Sequence, residues 1–153
     1  MDRQTLINTA CELPAINAAA AKEYEAKATL MAGKVTSVLA QRADIVALVG
    51  PDNLLMMEDN HANHARFITS VLKKMDAEIL TDTILWVFRA YRSHGFSSHY
   101  WAAQLNAWIK TLHQELSAEA YHEIYPLYEW MQINIPMFTL VSETQLNEIT
   151  LNH

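Results

Sequence analysis

The sequence predicts an all-α protein, and three observations support this fold class. Only three glycines and four prolines interrupt 153 residues. Apolar residues recur at helical spacing along most of the chain, and no long segment alternates with a period of two. The stripes imply about seven helices of unequal length, which favours orthogonal packing over an even four-helix bundle. We expect a single domain covering residues 1–153.

Each helix is placed by its apolar stripe and by the residues at its ends. Pro14 suits a helix start, Gly95 suits a C-terminal cap, and the serines at 97–98 and Ser117 suit N-caps. Pro126 and Pro136 should kink the last helix or end it early. The expected helices are at about 2–11, 14–42, 43–49, 52–75 and 77–93, with one after 97–98 and a last one after Ser117.

Composition excludes several classes of protein. A net charge of −6 argues against a general nucleic-acid binder. The single cysteine, Cys11, excludes an internal disulfide framework and favours a reducing compartment. The sequence shows neither a signal-peptide pattern nor an apolar run of membrane-spanning length, so we expect a cytoplasmic protein without a membrane partner. The middle of the chain is basic and histidine-rich, which indicates either a site for a small anion or a solvated face.

The segment "DNHANHARF" at 59–67 carries two histidines three residues apart. His61 and His64 continue the apolar stripe of their helix, so their side chains should point into the core or into a pocket. Zinc needs about four ligands, and this spacing supplies only two. The remaining interpretations are a pair of structural histidines with hydrogen-bond partners and the lining of a ligand pocket.

Four segments, "DNHANHARF", "WVFRAYRSHGF", "YWAAQLNAW" and "IYPLYEWM", together resemble a group of bacterial globin-like domains. These are the bilin-biosynthesis-associated globins and relatives found beside cobalamin-binding domains, distant relatives of the phycobiliproteins. The resemblance covers about residues 52–131. It implies a globin-like fold with core helices over 52–145 and an extra N-terminal helical segment over 1–42. It also implies frequent dimerisation, and a linear tetrapyrrole (bilin) ligand or a sensory role.

The sequence differs from the phycobiliproteins at one functionally important position. Those proteins attach their bilin through a cysteine about one turn before a helix aspartate, whereas "AEILTD", which ends at Asp82, has no cysteine. A bilin would therefore be held non-covalently. Asp82, Trp86 and Arg89 share one helix face and would bind pyrrole N–H groups, stack on the pigment and pair with a propionate, respectively. Alternatively this face is simply exposed. Arg92 could meet another propionate.

Haem is the alternative ligand. A haem globin needs a proximal histidine on the helix after the distal one, and His94 is the candidate, although it directly precedes the helix-ending Gly95. We include Phe67 and Tyr100 in the predicted pocket. Trp101, Trp108 and Trp130 are expected to belong to the core.

No nucleophile–base pair, phosphate loop or dinucleotide motif occurs, which argues against an enzyme. The sequence therefore predicts a binding or sensing protein with a non-covalent bilin, such as biliverdin, in a globin-type pocket. The first alternative is a ligand-free dimerisation or sensor module with a protein partner in bilin-linked or cobalamin-linked signalling. The second alternative is a haem sensor. We expect a homodimer in each case.

Overall fold

A computed structural model describes the backbone of residues 2–151 and the side chains of residues 2–144. All regular structure within that range is α-helical, which confirms the predicted fold class. The eight helices are α1 (Arg3–Cys11), α2 (Ala18–Ala40), α3 (Ile45–Val49), α4 (Leu54–Lys73), α5 (Ala77–Ser93), α6 (Tyr100–Glu115), α7 (Ala118–Ile133) and α8 (Ile135–Leu151).

Several helix ends lie where the sequence signals place them. Ser117 caps α7 by accepting a hydrogen bond from the Ala120 backbone N–H. The α7–α8 boundary falls at Asn134, two residues before Pro136, whereas Pro126 remains inside α7. The predicted start of α2 at Pro14 is wrong. Asn17 caps this helix instead, because its side chain accepts from the Ala20 N–H and satisfies one free donor of the first turn.

The C-terminal end of α5 adopts a glycine-dependent turn. Gly95 has a φ of 102°, in the left-handed region that favours glycine. Its N–H donates to the Arg92 carbonyl, and the Phe96 N–H donates to the Tyr91 carbonyl, which together form a Schellman motif. The chain can therefore leave α5 and enter α6 within a few residues, so that both helices border the same interior space.

Helix α2 lies at the centre of the packing rather than at its edge. It packs against α4, α6 and α7, while α5 packs against α1 and α8. The contact face of α2 combines alanines with Tyr24, Met31 and Val35, and all three of these larger side chains are fully buried. Within the described residues, none of the helices is long and apolar enough to cross a membrane.

Two glycine substitutions should have opposite effects on stability. A Cβ at Gly33, inside α2, would meet no atom within 4 Å, so Gly33→Ala should raise the free energy of unfolding by about 0.5–1 kcal/mol through its better helix propensity. Gly95→Ala should lower it by about 1 kcal/mol or more, because alanine is strained at positive φ. Urea unfolding checks both changes, and a neutral or stabilising Gly95→Ala would contradict the described turn.

Candidate functional site

The candidate site is an apolar pocket that helices α4 to α8 enclose. Its volume is about 210 Å³, and it is partly open to solvent. Most of its wall is aromatic, and Phe88 and Trp101 stack with ring centroids 4.4 Å apart and an interplanar angle of 13°. The aromatic residues that line it are Phe67, Trp86, Phe88, Tyr91, Trp101 and Phe138. Such a surface suits a flat, ring-containing molecule.

Polar side chains occupy one side of this pocket. Asn60, Asn63 and His64 come from α4, and Gln104 comes from α6. Asn60 and Gln104 are almost completely buried, at 4% and 2% exposure. Few, well-placed polar groups on an otherwise apolar surface are typical of small-molecule sites, where they orient the ligand.

Gln104 is the most unusual of these side chains. Its amide lines the pocket and makes no hydrogen bond to any described residue. The fully buried polar atoms that lack a partner among the described residues are Thr81 Oγ1, Arg92 Nη1 and Trp108 Nε1, so the polar atoms of Gln104 are instead open to the cavity. A polar group that lacks partners inside a cavity indicates a bound molecule, either water or a ligand, that completes its hydrogen bonds.

A first chain of buried hydrogen bonds supports the polar wall from behind. The Tyr100 hydroxyl donates to Asn60 Oδ1 at 2.7 Å and lies 2.9 Å from His61 Nε2. Because its only hydrogen goes to Asn60, the neutral imidazole must donate from Nε2. His61 Nδ1 lies 2.7 Å from Thr36 Oγ1, closer than the Ala32 carbonyl at 3.1 Å, to which the same hydroxyl can also donate. The chain thus links α2 to the polar side of the pocket through Thr36, His61, Tyr100 and Asn60.

A second chain fixes His64. Its Nε2 lies 2.8 Å from the Tyr128 hydroxyl, which in turn lies 2.8 Å from the Tyr24 hydroxyl. If Tyr24 donates to Tyr128 and Tyr128 donates to Nε2, both hydroxyl hydrogens are used. The opposite direction leaves the buried Tyr24 hydroxyl without an acceptor among the described residues, at a cost of about 1–3 kcal/mol. The proton of His64 is therefore on Nδ1, which no described side chain engages.

The pocket is electrically neutral near pH 7. None of the described residues that line it carries a formal charge. Burial lowers the pKa of His61 to about 4 and, together with the neighbouring His61, that of His64 to about 3. Burial also raises the pKa of Tyr91, although hydrogen bonding from Asn63 and Asn60 opposes the shift. An ionic group inside this pocket would lose its hydration without gaining a counter-ion.

The structure brings only some of the predicted site residues together. His64, Phe67 and Trp86 line the pocket. His61 and Tyr100 lie one layer behind it, where they are fully buried and support Asn60. His61 is a hydrogen-bonded interior residue, whereas His64 both bonds to Tyr128 and lines the pocket.

Asp82, the predicted partner of pyrrole N–H groups, faces α1 instead. Arg3 Nε and Nη2 donate to its two carboxylate oxygens at 2.6 and 2.8 Å, and the same Nη2 donates to Glu78. The hydrogen bonds from Arg3 are the main cause that lowers the pKa of Asp82. The carboxylate therefore attaches α1 to α5 and does not line the pocket.

The remaining predicted residues also lie outside the pocket lining. Arg92 Nη2 donates to the Thr139 carbonyl at 3.3 Å and to Ser142 Oγ at 3.2 Å, which joins α5 to α8. His94 is the exposed C-cap of α5, so it does not face the cavity. Arg89 is partly buried on α5 but does not line the pocket.

Sequence reasoning missed Gln104 and Asn60. Both occupy positions on the buried faces of their helices, where a polar residue needs either a partner or a function. Gln104 lies between Trp101 and Trp108 along the apolar stripe of α6, and that placement was the available signal. Trp101, Trp108 and Trp130 are buried, as predicted.

Stability should depend on pH through His61 and His64, whose pKa values the fold lowers. Their pKa values in the folded state lie below the ordinary value of 6.5, so the unfolded chain binds more protons as pH falls below about 6.5. The stability that comes from keeping these imidazoles neutral is therefore complete above about pH 6.5. It is lost as the pH falls towards the folded-state pKa values, about 4 for His61 and about 3 for His64. From pH 7.5 to 5.5, each histidine should cost about 1.4 kcal/mol of unfolding free energy. Urea unfolding of wild type and of His61→Gln measures this loss, and an equal loss in both would contradict it.

Comparison with known proteins adds no relative to this description. No family model, no curated protein and no solved structure matches the chain. The resemblance to bilin-associated globins therefore remains a hypothesis based on four sequence segments, and function has to be inferred from the side chains of the pocket.

Proposed function

We propose that the protein binds a ring-containing, largely apolar small molecule in the pocket between α4 and α8. The observation that carries this proposal is Gln104, a buried amide without a partner among the described residues on the wall of an aromatic cavity. Because its polar atoms are open to the cavity, water can hydrate them in the ligand-free chain, and a ligand that fills the cavity has to replace that water. A bound ligand that completes the amide's hydrogen bonds explains why glutamine is present.

A linear tetrapyrrole, such as biliverdin, is the specific ligand that the resemblance suggests, and it would be bound non-covalently. The aromatic wall supports this choice, because flat conjugated rings stack well on Phe88, Trp101 and Trp86. The pocket volume of about 210 Å³ is below the roughly 300–1,000 Å³ typical of pockets that enclose a drug-sized ligand. One end of the pigment would therefore enter, and the rest would lie at the mouth beside the half-exposed Trp86.

The globin-like arrangement of helices is part of the same proposal. Helices from five to 23 residues in length and a pocket bordered by several of them support it. Haem has less support, because the proposed axial ligand His94 lies outside the pocket lining and His64 Nε2 bonds to Tyr128. The role is binding or sensing rather than catalysis, since the pocket contains neutral side chains and no activated nucleophile.

Replacing the unpartnered amide should separate stability from binding. Gln104→Met keeps the approximate shape and removes the polar atoms, so it should weaken ligand binding but change the unfolding free energy of the ligand-free protein by less than about 1 kcal/mol, because the amide is open to the cavity. Gln114→Met, at an exposed position on the same helix, is the matched control and should change it by less than about 0.5 kcal/mol. Urea unfolding without ligand measures both. A large loss of stability in Gln104→Met would show that the amide has a structural role.

Absorbance titration distinguishes the pigments. Biliverdin added to the protein should give a saturable, sharpened or red-shifted long-wavelength band, and Gln104→Met should weaken its binding. Haem should give no low-spin Soret band. If small aromatic molecules bind but biliverdin gives no spectral change, the pocket is a ligand site and the bilin hypothesis is wrong. A Soret band that His94→Ala abolishes would favour the haem alternative.

We further propose that the protein forms a homodimer through the solvent-facing side of α2. Leu30 and Val38 lie on that side and are 53% and 51% exposed, and two-fold pairing is the commonest way to bury such a face. Sedimentation equilibrium should show a dimer for wild type and a shift towards monomer for Leu30→Glu. A wild-type monomer at high micromolar concentration would exclude this assembly.

A further inference from the structure

The hydrogen-bonding groups that the pocket leaves unused define what kind of ring can enter it. Gln104 offers one amide oxygen and one NH₂ group, neither of which has a partner among the described residues. His64 offers its Nδ1–H, because its Nε2 accepts from Tyr128. The available groups are thus one acceptor and two kinds of donor, without any charge.

We propose that the pocket binds a neutral cyclic cis-amide, the group found in lactams, with its C=O and N–H facing Gln104. This inference rests on the proposed ligand-binding function and names the chemical class of the ligand. The carboxamide of Gln104 is self-complementary with a cis-amide: its NH₂ donates to the ligand C=O, and its oxygen accepts from the ligand N–H. His64 Nδ1–H donates to the second lone pair of the same ligand oxygen.

Charge and shape both favour this class over related ones. A carboxylate or phosphate would lose its hydration in a pocket whose described lining contains no cation. A hydrocarbon of the same size would leave the Gln104 amide unpaired. Flat rings would lie between the aromatic side chains, with Phe88 and Trp101 forming one stacked wall. For a linear tetrapyrrole, a terminal lactam ring would enter the pocket and the propionates would stay at the mouth.

Three bicyclic probes of nearly equal size test this inference by isothermal titration calorimetry on the wild-type chain at neutral pH. They are 2-quinolinone (a neutral lactam), naphthalene (no polar group) and quinoline-2-carboxylate (an anion). We expect 2-quinolinone to bind at least about tenfold more tightly than naphthalene, the equivalent of one hydrogen bond. The carboxylate should show no binding. Equal or tighter binding of naphthalene or of the carboxylate would overturn the inference.

Gln104→Met should reverse the order of the two neutral probes. Naphthalene should then bind more tightly than 2-quinolinone, because an apolar cavity accepts a hydrocarbon without losing hydrogen bonds. N-methyl-2-quinolinone, which lacks the N–H, should bind wild type about tenfold more weakly than the parent lactam. If Gln104→Met still prefers 2-quinolinone to naphthalene, the Gln104 amide does not recognise the lactam. Gln104→Leu replaces the methionine variant if the latter does not fold.

His64→Leu should weaken 2-quinolinone about tenfold and leave naphthalene unchanged, whereas His122→Leu, at an exposed position on α7, should change neither. An unchanged affinity for the lactam in His64→Leu would exclude the Nδ1–H contact. Failure of the inference differs from failure of the proposed function. If naphthalene binds best, the pocket binds ligands of another class. If neither the probes nor biliverdin binds wild type, the ligand-binding function itself is wrong.

Discussion

Placing two imidazoles on the interior side of α4 is the constraint on which the rest of the structure depends. His61 is fully buried and His64 is half-buried at the pocket, and each ring nitrogen there needs a partner or access to a cavity. The direct partners come from three other helices: Thr36 from α2, Tyr100 from α6 and Tyr128 from α7. Tyr24 of α2 bonds in turn to Tyr128. Because hydrogen bonds tolerate little displacement, these contacts fix the register of α4 against each of those helices. The apolar contacts of alanines and leucines alone would allow more variation.

The same constraint explains the polar wall of the pocket. The His61 chain ends on Asn60 and the His64 chain leaves an Nδ1–H unused, so both deliver oriented polar groups to one side of an aromatic cavity. Gln104 faces them without support of this kind. The same pocket therefore contains polar side chains that other residues hold in place, such as Asn60 and His64, and one, Gln104, that has no hydrogen-bond partner among the described residues. The Gln104 amide is open to the cavity and is therefore available to a ligand.

The fold class could be predicted from the sequence, because helical periodicity and the scarcity of glycine are local signals. The inward direction of His61 and His64 followed from the same periodicity, and so did the burial of the tryptophans. The engagement of Asp82 could not be predicted, since its partner Arg3 is 79 residues away and only the packing of α1 on α5 brings them together. The role of Gln104 also depends on tertiary contacts. An amide on a buried helix face has a partner in most proteins, and its absence becomes visible only when the surrounding side chains are in place.

The most direct test of the account is the side-chain amide signal of Gln104 in a ¹H–¹⁵N NMR spectrum, assigned by its disappearance in Gln104→Met. Saturation with 2-quinolinone should shift this signal downfield, because its N–H forms a new hydrogen bond to the ligand carbonyl. The exposed Gln114 amide should not move and serves as the internal reference. A Gln104 signal that stays in place while the Met131 methyl group on the pocket wall shifts would show that the ligand enters without using the amide, and this result would contradict the central claim.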